Sequence, residues 1–448
     1  MSDTIFALAT APGRAAVAVI RLSGPKAGDA LAVLAGRLPA PRTASLRALK
    51  GSDGGLIDRG LVLWLPGPSS FTGEDCAELQ LHGGSAVVDA ASGALMALGL
   101  RLAHPGEFTR RAFQNGKLDL AQAEAVADLV DAETEGQRRQ ALEQMDGALG
   151  RRHEAWRGGI LEALTLLEAA IDFPDEDLPE DIAARARPYL ERLVAELDNA
   201  LADAGRGERV REGFRVAIVG APNAGKSSLL NRLLGRDAAI VAPTPGTTRD
   251  VIEAPLILSG FKALLADTAG LRTAGEAIEA EGVRRARAWA ERAELRLWMV
   301  DASASDGAWR EASDLVGRGD LLVLNKIDRP RGADAGAASD FALGLEIEAV
   351  ETAATSGRGL DDLRLRLSAA ASAALSGRDF PAVTRERHRG LLLETRDHVG
   401  RALQALDDGP ELAAEDLRLA GRALGRVTGR IDAEEVLERI FASFCIGK

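Results

Sequence analysis

The stretch GAPNAGKS, residues 220–227, lies between a hydrophobic run, FRVAIVG, and a helix-like segment, SLLNRLLG. It matches the pattern G-x-x-x-x-G-K-[ST], whose backbone N–H groups surround phosphates. In this pattern Lys226 would reach the β- and γ-phosphates of a nucleotide, and Ser227 would hold Mg²⁺. A plain glycine turn is the alternative, but a strand before the stretch and a helix after it disfavour that alternative. The stretch therefore predicts a phosphate-binding loop, which we call the P-loop.

Two motifs that suit a nucleotide switch follow the P-loop. GTTRD (246–250) offers Thr248 as a residue that closes on Mg²⁺ and the γ-phosphate. ALLADTAG (263–270) predicts a strand ending in Asp267, which suits the outer shell of Mg²⁺. Gly270 is then free to turn its N–H toward the γ-phosphate.

The identity of the bound nucleotide base is predicted by LLVLNKID (321–328), a strand that ends in N-K-x-D. The carboxylate of Asp328 can accept hydrogen bonds from the ring N–H and the exocyclic amine of guanine. Adenine lacks that ring N–H, so Asp328 selects GTP over ATP. The motifs together predict a Ras-like GTPase domain with a doubly wound, mostly parallel sheet.

Two positions depart from the Ras-like pattern. Leu271 follows DTAG, where Ras-like proteins carry the glutamine that orients the attacking water. Leucine cannot orient water, so another group must do so. The loop expected near the guanine carbonyl is AAT (353–355), where the backbone N–H of Ala354 would still serve.

The rest of the chain divides into segments of different amino-acid composition. Residues 1–117 combine short apolar runs with Pro and Gly and predict a small α/β domain. Residues 118–212 and 372–448 are rich in Ala, Leu, Glu and Arg, which favours helices. The simplest interpretation is one helical domain, split by the insertion of the GTPase domain at 213–371. The apolar ending IFASFCI (440–446) predicts a buried terminus.

Composition excludes several classes of function. The net charge of −12 disfavours sequence-blind nucleic-acid binding and leaves RNA only local basic patches, such as RERHR (385–389) and RRARAWAERAELR (284–296). A solvated helix face is the simpler interpretation of either segment. The two cysteines fit a reducing compartment, and no signal peptide or membrane span is evident. We therefore expect a cytoplasmic protein.

The GTPase motifs resemble those of the TrmE–Era–EngA group of bacterial GTPases. The flanking stretches FTGEDCAELQLHGG, HPGEFTRRAF, GKLDLAQAEAVADLVDAET, AAIDFPDE and the terminal CIGK resemble the MnmE (TrmE) family across essentially the whole chain. The resemblance implies a homodimer that works with the flavoprotein MnmG on tRNA. It also implies addition of a carboxymethylaminomethyl or aminomethyl group to carbon 5 of the wobble uridine. A one-carbon unit from 5-formyl- or 5,10-methylene-tetrahydrofolate and GTP hydrolysis would be required.

The family's nucleotide contacts fall on the four motifs, on residues 228 and 242–245 beside them, and on the 353–354 loop. They are Asn223, Ala224, Gly225, Lys226, Ser227, Ser228, Ala242, Pro243, Thr244, Pro245, Gly246, Thr247, Thr248, Asp267, Thr268, Ala269, Gly270, Asn325, Lys326, Asp328, Ala353 and Ala354.

The resemblance also assigns metal and catalytic roles in this domain. Ser227 and Thr248 match Mg²⁺ ligands. The family's potassium ligands correspond to Asn223, Ala242, Thr244 and Thr247, and K⁺ would neutralise charge as an arginine finger does. Glu279 matches the carboxylate proposed to position water, which would compensate for Leu271. An ordinary exposed acid is the alternative for Glu279, because Glu281 is close by.

Folate contacts are implied at Arg21, Glu78, Lys117 and Lys448. Glu78 could accept the paired N–H donors of a pterin, and the cations suit the glutamate tail. Cys445 would face the folate site with a chemical role, or would be a structural cysteine that fixes the C-terminus. Cys76 is expected to be a small buried residue.

Two other functions remain open from the sequence. The first is an Era-like ribosome-assembly GTPase that binds structured RNA, although no KH-type module with a GXXG loop is present. The second is a GTP-switched scaffold.

Overall fold

The computed structural model describes residues 3–172, 182–235, 253–267, 276–377, 379–406, 409–431, 437, 440, 441, 444 and 447, with only the backbone for 276–283. The strands are β1 Ile5–Leu8, β2 Ala15–Ser23, β3 Ser45–Lys50, β4 Leu56–Leu65, β5 Cys76–Gly83, β6 Arg101–Leu102, β7 Phe214–Val219, β8 Glu253–Leu258, β9 Phe261–Asp267, β10 Leu295–Asp301, β11 Leu321–Asn325 and β12 Glu348–Glu351. The helices are α1 Ala27–Ala35, α2 Ser85–Ala97, α3 Glu107–Gln114, α4 Leu120–Val130, α5 Glu135–Met145, α6 Ala148–Asp172, α7 Arg187–Ala202, α8 Ala204–Glu212, α9 Lys226–Gly235, α10 Glu276–Arg292, α11 Ala333–Gly344, α12 Leu360–Leu375, α13 Glu386–Ala405 and α14 Pro410–Val427.

The chain divides into two compact units. The first comprises Met1–Val130, Leu142–Asp198 and Gly390–Lys448, and the second comprises Asp131–Ala141 and Asn199–Arg389.

The first unit contains the N-terminal α/β part. Among the described residues its six strands lie in the order β3-β4-β5-β2-β1-β6, antiparallel except for the β1–β6 pair. Side chains alternate between the two faces of a strand. Ile20 and Leu22 of β2 therefore enter the core formed with α1 and α2, together with Leu79 of β5. Arg21 and Glu78 belong to the opposite face.

The helical part of the first unit begins at a capping box. The side chain of Asp119 accepts a hydrogen bond from the backbone N–H of Gln122 at 2.7 Å, and the Gln122 side chain accepts one from the N–H of Asp119 at 2.9 Å. This reciprocal pair satisfies N–H groups that have no partner inside α4. The sequence prediction of helical structure after residue 118 is confirmed at its first turn.

The C-terminal apolar residues pack into the first unit. Leu437, Phe441 and Phe444 are buried in a cluster with Leu120 and Ala123 of α4. Full burial of a phenylalanine stabilises a fold by roughly 1.5–3 kcal/mol. The prediction of a buried terminus is confirmed at Phe441 and Phe444.

The second unit contains the predicted GTPase domain. Its described strands form a sheet in the order β12-β11-β10-β7-β9-β8, in which every neighbouring pair is parallel except β8–β9. Val216 and Ile218 of β7 enter one core, whereas Ala217 and Val219 enter a second core. A strand buried on both faces is typical of a parallel sheet covered by helices on both sides. The predicted doubly wound, mostly parallel sheet is confirmed.

Part of the helical sequence is bonded to the GTPase domain within this unit. The backbone N–H of Gly136 donates to the carbonyl of Gly260 at 2.9 Å, at the turn between β8 and β9. The Lys262 ammonium pairs with Glu133 at 2.6 Å. The start of α5 is therefore held against the β8–β9 hairpin, whose second strand ends at Asp267.

Candidate functional site

The P-loop joins the end of β7 to the start of α9, and its shape depends on two glycines. Gly220 has φ +132° and Gly225 has φ +104°, a region that favours glycine. A Cβ at Gly220 would lie 2.2 Å from the carbonyl oxygen of Met299, and one at Gly225 would lie 2.3 Å from Nδ2 of Asn325. Neither position has room for a side chain. The loop is therefore packed directly against β10 and the end of β11.

The two functional side chains of the P-loop, Lys226 and Ser227, both contact other groups of this domain. The Lys226 ammonium donates to the carbonyl oxygens of Gly220 at 2.6 Å and Ala221 at 2.7 Å, and the residue is only 5% exposed. The hydroxyl of Ser227 donates to the Asp267 carboxylate at the end of β9. A hydroxyl beside a carboxylate is the kind of oxygen donor set that Mg²⁺ prefers. The residues present therefore fit the predicted magnesium site.

Asn325 connects the end of β11 to the loops on either side of it. Its Nδ2 donates to the carbonyl of Ala224 at 2.7 Å. Its Oδ1 accepts from the backbone N–H of Ala354 at 3.0 Å and from the hydroxyl of Thr352 at 3.3 Å. Because the Ala354 N–H is engaged here, a guanine carbonyl would have to share it. One buried amide thus holds the phosphate loop and the candidate base loop together.

The other polar residues of N-K-x-D lie at the edge of the same site. Asp328 is exposed. The Lys326 ammonium pairs with Asp301 at 2.6 Å, and Ser303 donates two further hydrogen bonds to that carboxylate. Burial opposes ionisation of Asp301, but the hydrogen bonds from Lys326 and Ser303 outweigh it and lower the pKa of Asp301. Lys326 is therefore fixed beside the position from which Asp328 would meet a base.

The first unit brings three of the candidate folate residues to one area. Arg21 of β2 and Glu78 of β5 are directly opposite in the strand register. The guanidinium donates through Nε at 3.1 Å and Nη2 at 3.0 Å, both to Oε1 of Glu78. Lys117 donates to the carbonyl of Pro68 at 3.1 Å. Arg21 reaches the same loop through Phe71, whose ring centre lies 5.5 Å from the guanidinium carbon.

Comparison with known proteins finds family models that match both the N-terminal part and the rest of the chain. The model described as the GTP-binding protein TrmE N-terminus matches residues 4–117, and the model described as the MnmE helical domain matches residues 120–445. The chain belongs to the MnmE family. Full-length relatives named tRNA modification GTPase MnmE are 61% identical in Phenylobacterium zucineum, 58% identical in Caulobacter vibrioides and 51% identical in Maricaulis maris. Each alignment covers 100% of this chain and 100% of the relative.

Several MnmE-type site residues lie outside the described part of the chain. They are Ala242, Pro243, Thr244, Pro245, Gly246, Thr247, Thr248, Thr268, Ala269, Gly270, Cys445 and Lys448, together with Leu271. Glu279 lies in α10, where only the backbone is described.

Within the C-I-G-K ending that resembles the MnmE family, Gly447 is the residue that the structure describes, and it contacts the N-terminal sheet. Gly447 is buried with φ +103°. A Cβ there would lie 2.3 Å from the carbonyl oxygen of Leu8, at the end of β1. Glycine is therefore required where the terminus meets the N-terminal sheet. Cys76 is a buried free thiol, as expected.

Sequence reasoning missed an ion network beside the candidate folate residues. Arg111 of α3 is buried and contacts three carboxylates: Asp3 at 2.7 Å, Glu74 at 3.0 Å and Glu107 at 3.0 Å. Arg101 also binds Glu107, at 2.6 Å. Burial opposes ionisation of Glu107, but hydrogen bonds from Arg101, the backbone N–H of His104 and Arg111 lower the pKa of Glu107 to about 2. The stretch HPGEFTRRAF carried the signal, since it places Glu107 and Arg111 one helical turn apart.

Both basic segments are occupied by ion pairs or buried contacts. In 385–389, His388 is fully buried and Arg389 pairs with Glu208. In 284–296, Arg287 pairs with Asp314 and Glu291, and Arg296 pairs with Asp320. These contacts engage several basic groups of the two segments inside the protein, and His388 shows that segment 385–389 is not simply a solvated helix face. In the part of the chain that the structure describes, no helix is both long and apolar enough to cross a membrane.

Proposed function

We propose that this protein hydrolyses GTP to drive modification of the wobble uridine of tRNA. It adds a carboxymethylaminomethyl or aminomethyl group at carbon 5 together with the flavoprotein MnmG. The methylene carbon comes from 5-formyl- or 5,10-methylene-tetrahydrofolate, the remaining atoms come from an amine (glycine or ammonia), and the hydrogen on carbon 5 leaves as a proton. The observation that carries the proposal is that a P-loop joined by Asn325 to the N-K-x-D motif and the Arg21–Glu78 pair occur in one chain. That chain aligns end to end with relatives named tRNA modification GTPase.

In the GTPase domain, the chain's own groups bind and orient the substrate. Asp328 accepts the two N–H groups of guanine, and the P-loop N–H groups and Lys226 hold the phosphates. Water attacks the γ-phosphorus while the bond to the β–γ bridging oxygen breaks, giving GDP and phosphate. Glu279 positions that water through a second water, because Leu271 cannot.

Two cations complete this site in the proposal. Ser227 and Thr248 hold Mg²⁺, and Asn223 with Ala242, Thr244 and Thr247 hold K⁺. When bound, both ions neutralise the charge that develops on the phosphate oxygens. Support among the described residues comes from the contact between Ser227 and Asp267.

In the N-terminal domain, Glu78 accepts the N–H donors of the pterin, and Arg21, Lys117 and Lys448 bind acidic or polar parts of the folate. Arg21 uses only Oε1 of Glu78 for its two hydrogen bonds, so Oε2 can accept a donor from a ligand. Cys445 acts in the chemistry at the folate site. Support for placing the terminus there comes from Gly447, which meets the end of β1.

The proposed assembly is a cytoplasmic homodimer that forms a heterotetramer with MnmG and acts on tRNA. The proposed domains are residues 1–117 for folate binding and dimerisation, 118–212 with 372–448 for the helical domain, and 213–371 for the GTPase domain.

A reconstituted reaction tests the proposal. The protein is mixed with MnmG, tRNA, GTP, methylene-tetrahydrofolate and an amine, either glycine or ammonium, and modified uridine is measured by mass spectrometry. Product should require this chain, the folate and GTP, and a non-hydrolysable GTP analogue should not replace GTP. Product formed without this chain, or at an equal rate without GTP, would overturn the proposal.

A further inference from the structure

Residues 67–74, GPSSFTGE, form a loop between β4 and β5 that we call the 67–74 loop. It touches two of the three candidate folate residues that the structure describes. Its Pro68 carbonyl accepts from Lys117, and its Phe71 ring lies beside Arg21. The shape of this loop therefore affects the positions of both Lys117 and Arg21.

Hydrogen bonds hold the 67–74 loop from two sides. On the β2 side, the Ser23 hydroxyl lies 2.7 Å from the hydroxyl of Thr72 and donates to Glu74 at 2.7 Å. On the α3 side, Arg111 binds Glu74, and the Asn115 amide donates to the Thr72 carbonyl at 2.7 Å. Thr72 is fully buried. A loop held in this way is already formed before any ligand arrives.

Phe71 is a large apolar residue of this loop that remains partly exposed. It is 37% exposed, although the next residue, Thr72, is fully buried. The Arg21 guanidinium carbon lies 5.5 Å from the Phe71 ring centre and 6.0 Å from that of the buried Phe108. An aromatic face is thus displayed next to a hydrogen-bonding acid–base pair. Ligand sites commonly combine aromatic walls with a few fixed polar groups.

We infer that Phe71 is a ligand-binding residue that stacks on the ring system of the folate. This inference rests on the proposed function, because the ligand is the reduced folate that the Arg21–Glu78 pair would bind. Glu78 fixes the ring by its polar edge, and Phe71 covers one apolar face. Glu74 and Thr72 act as positioning residues that hold Phe71 in place.

The test is calorimetric titration of the full chain with 5-formyl-tetrahydrofolate. Phe71→Leu keeps an apolar side chain but removes the aromatic face, and should weaken binding roughly 3- to 10-fold. Phe71→Tyr should stay within about twofold of wild type, since its ring is retained. Val33→Ala is the control, because Val33 is 60% exposed on α1, which packs on the opposite face of the sheet. It should bind like wild type.

The outcomes separate this inference from the proposed function. Wild-type protein that binds no folate would contradict the proposed function itself. If wild-type protein binds folate and Phe71→Leu binds it with equal affinity, only the role of Phe71 is overturned, because an apolar side chain of similar size would then be sufficient. Melting temperature and GTP turnover are measured on each variant, and both should be unchanged, since Phe71 lies outside the GTPase domain. If Phe71→Tyr and Phe71→Leu both have a lowered melting temperature and bind folate equally weakly, Phe71 has a packing role and the inference is overturned.

Discussion

The side-chain amide of Asn325 donates a hydrogen bond to the carbonyl of Ala224 at 2.7 Å and so joins the end of β11 to the P-loop. The other end of the same amide accepts the N–H of Ala354. A residue usually assigned to base recognition therefore also determines the shape of the phosphate site. Phosphate affinity and base affinity should consequently be coupled through Asn325.

Replacement of Asn325 by alanine tests this coupling. Asn325→Ala should lower the affinities for GDP and GTP together by roughly tenfold or more, because both neighbouring loops lose a buried partner. The free energy of unfolding should fall by roughly 1–3 kcal/mol. Fluorescent-nucleotide titration and urea unfolding measure the two effects. Asn231→Ala, an exposed position on α9, is the control and should change neither.

Asp328 should determine which base is bound, without affecting the P-loop. Asp328→Asn should weaken GTP binding by roughly a hundredfold, since two charge-assisted hydrogen bonds are lost. It should admit xanthosine nucleotides, whose exocyclic oxygen suits an amide donor. Competition titrations with GTP and xanthosine triphosphate measure the change. A variant that still fully prefers GTP would place the guanine site elsewhere.

Hydrolysis should be faster in potassium than in sodium. Turnover in equimolar KCl and NaCl should differ by roughly tenfold or more, because the larger ion fits the proposed site of charge neutralisation. Asn223→Ala should abolish the difference while leaving a low basal rate. Equal rates of the wild-type enzyme in the two salts would remove the monovalent cation from the mechanism and leave a trans arginine as the alternative.

The ion network around Glu107 should make the stability of the first unit depend on acid pH. The pKa of Glu107 is lowered from an ordinary 4.5 to about 2. The ionised carboxylate therefore contributes its full stabilisation above about pH 4.5, and that contribution is lost as pH falls toward 2. Glu107→Gln should be less stable by roughly 1–3 kcal/mol at pH 7, and the difference should shrink through this window. Urea unfolding of both proteins from pH 2.5 to 7 measures it, and a constant difference would contradict the assigned network.

The GTPase fold and phosphate site could be predicted because their signals are local. The P-loop joins a strand to a helix within a few residues, and glycine is required at 220 and 225 by contacts that the motif already encodes. The capping box at Asp119 and Gln122 is equally local. Hydrophobic patterning likewise predicted the burial of Phe441 and Phe444.

The network at Arg111 could not be predicted, because its partners are distant in sequence. Asp3 precedes Arg111 by 108 residues and Glu74 precedes it by 37. Only the fold brings these carboxylates to one guanidinium. The same holds for Gly447, whose need for glycine comes from the Leu8 carbonyl. Sequence alone could attribute that glycine only to a family pattern.

The central claim is that GTP hydrolysis by this chain drives tRNA modification. The most direct measurement is mass spectrometry of tRNA nucleosides from cells that lack the gene, complemented with wild type or with Lys226→Ala. Lys226 is the buried P-loop cation, so the variant should not turn over GTP. The account predicts that deletion removes the carbon-5 modification of wobble uridine, that wild type restores it and that Lys226→Ala does not. Normal modification in the deletion strain, or full restoration by Lys226→Ala, would contradict it.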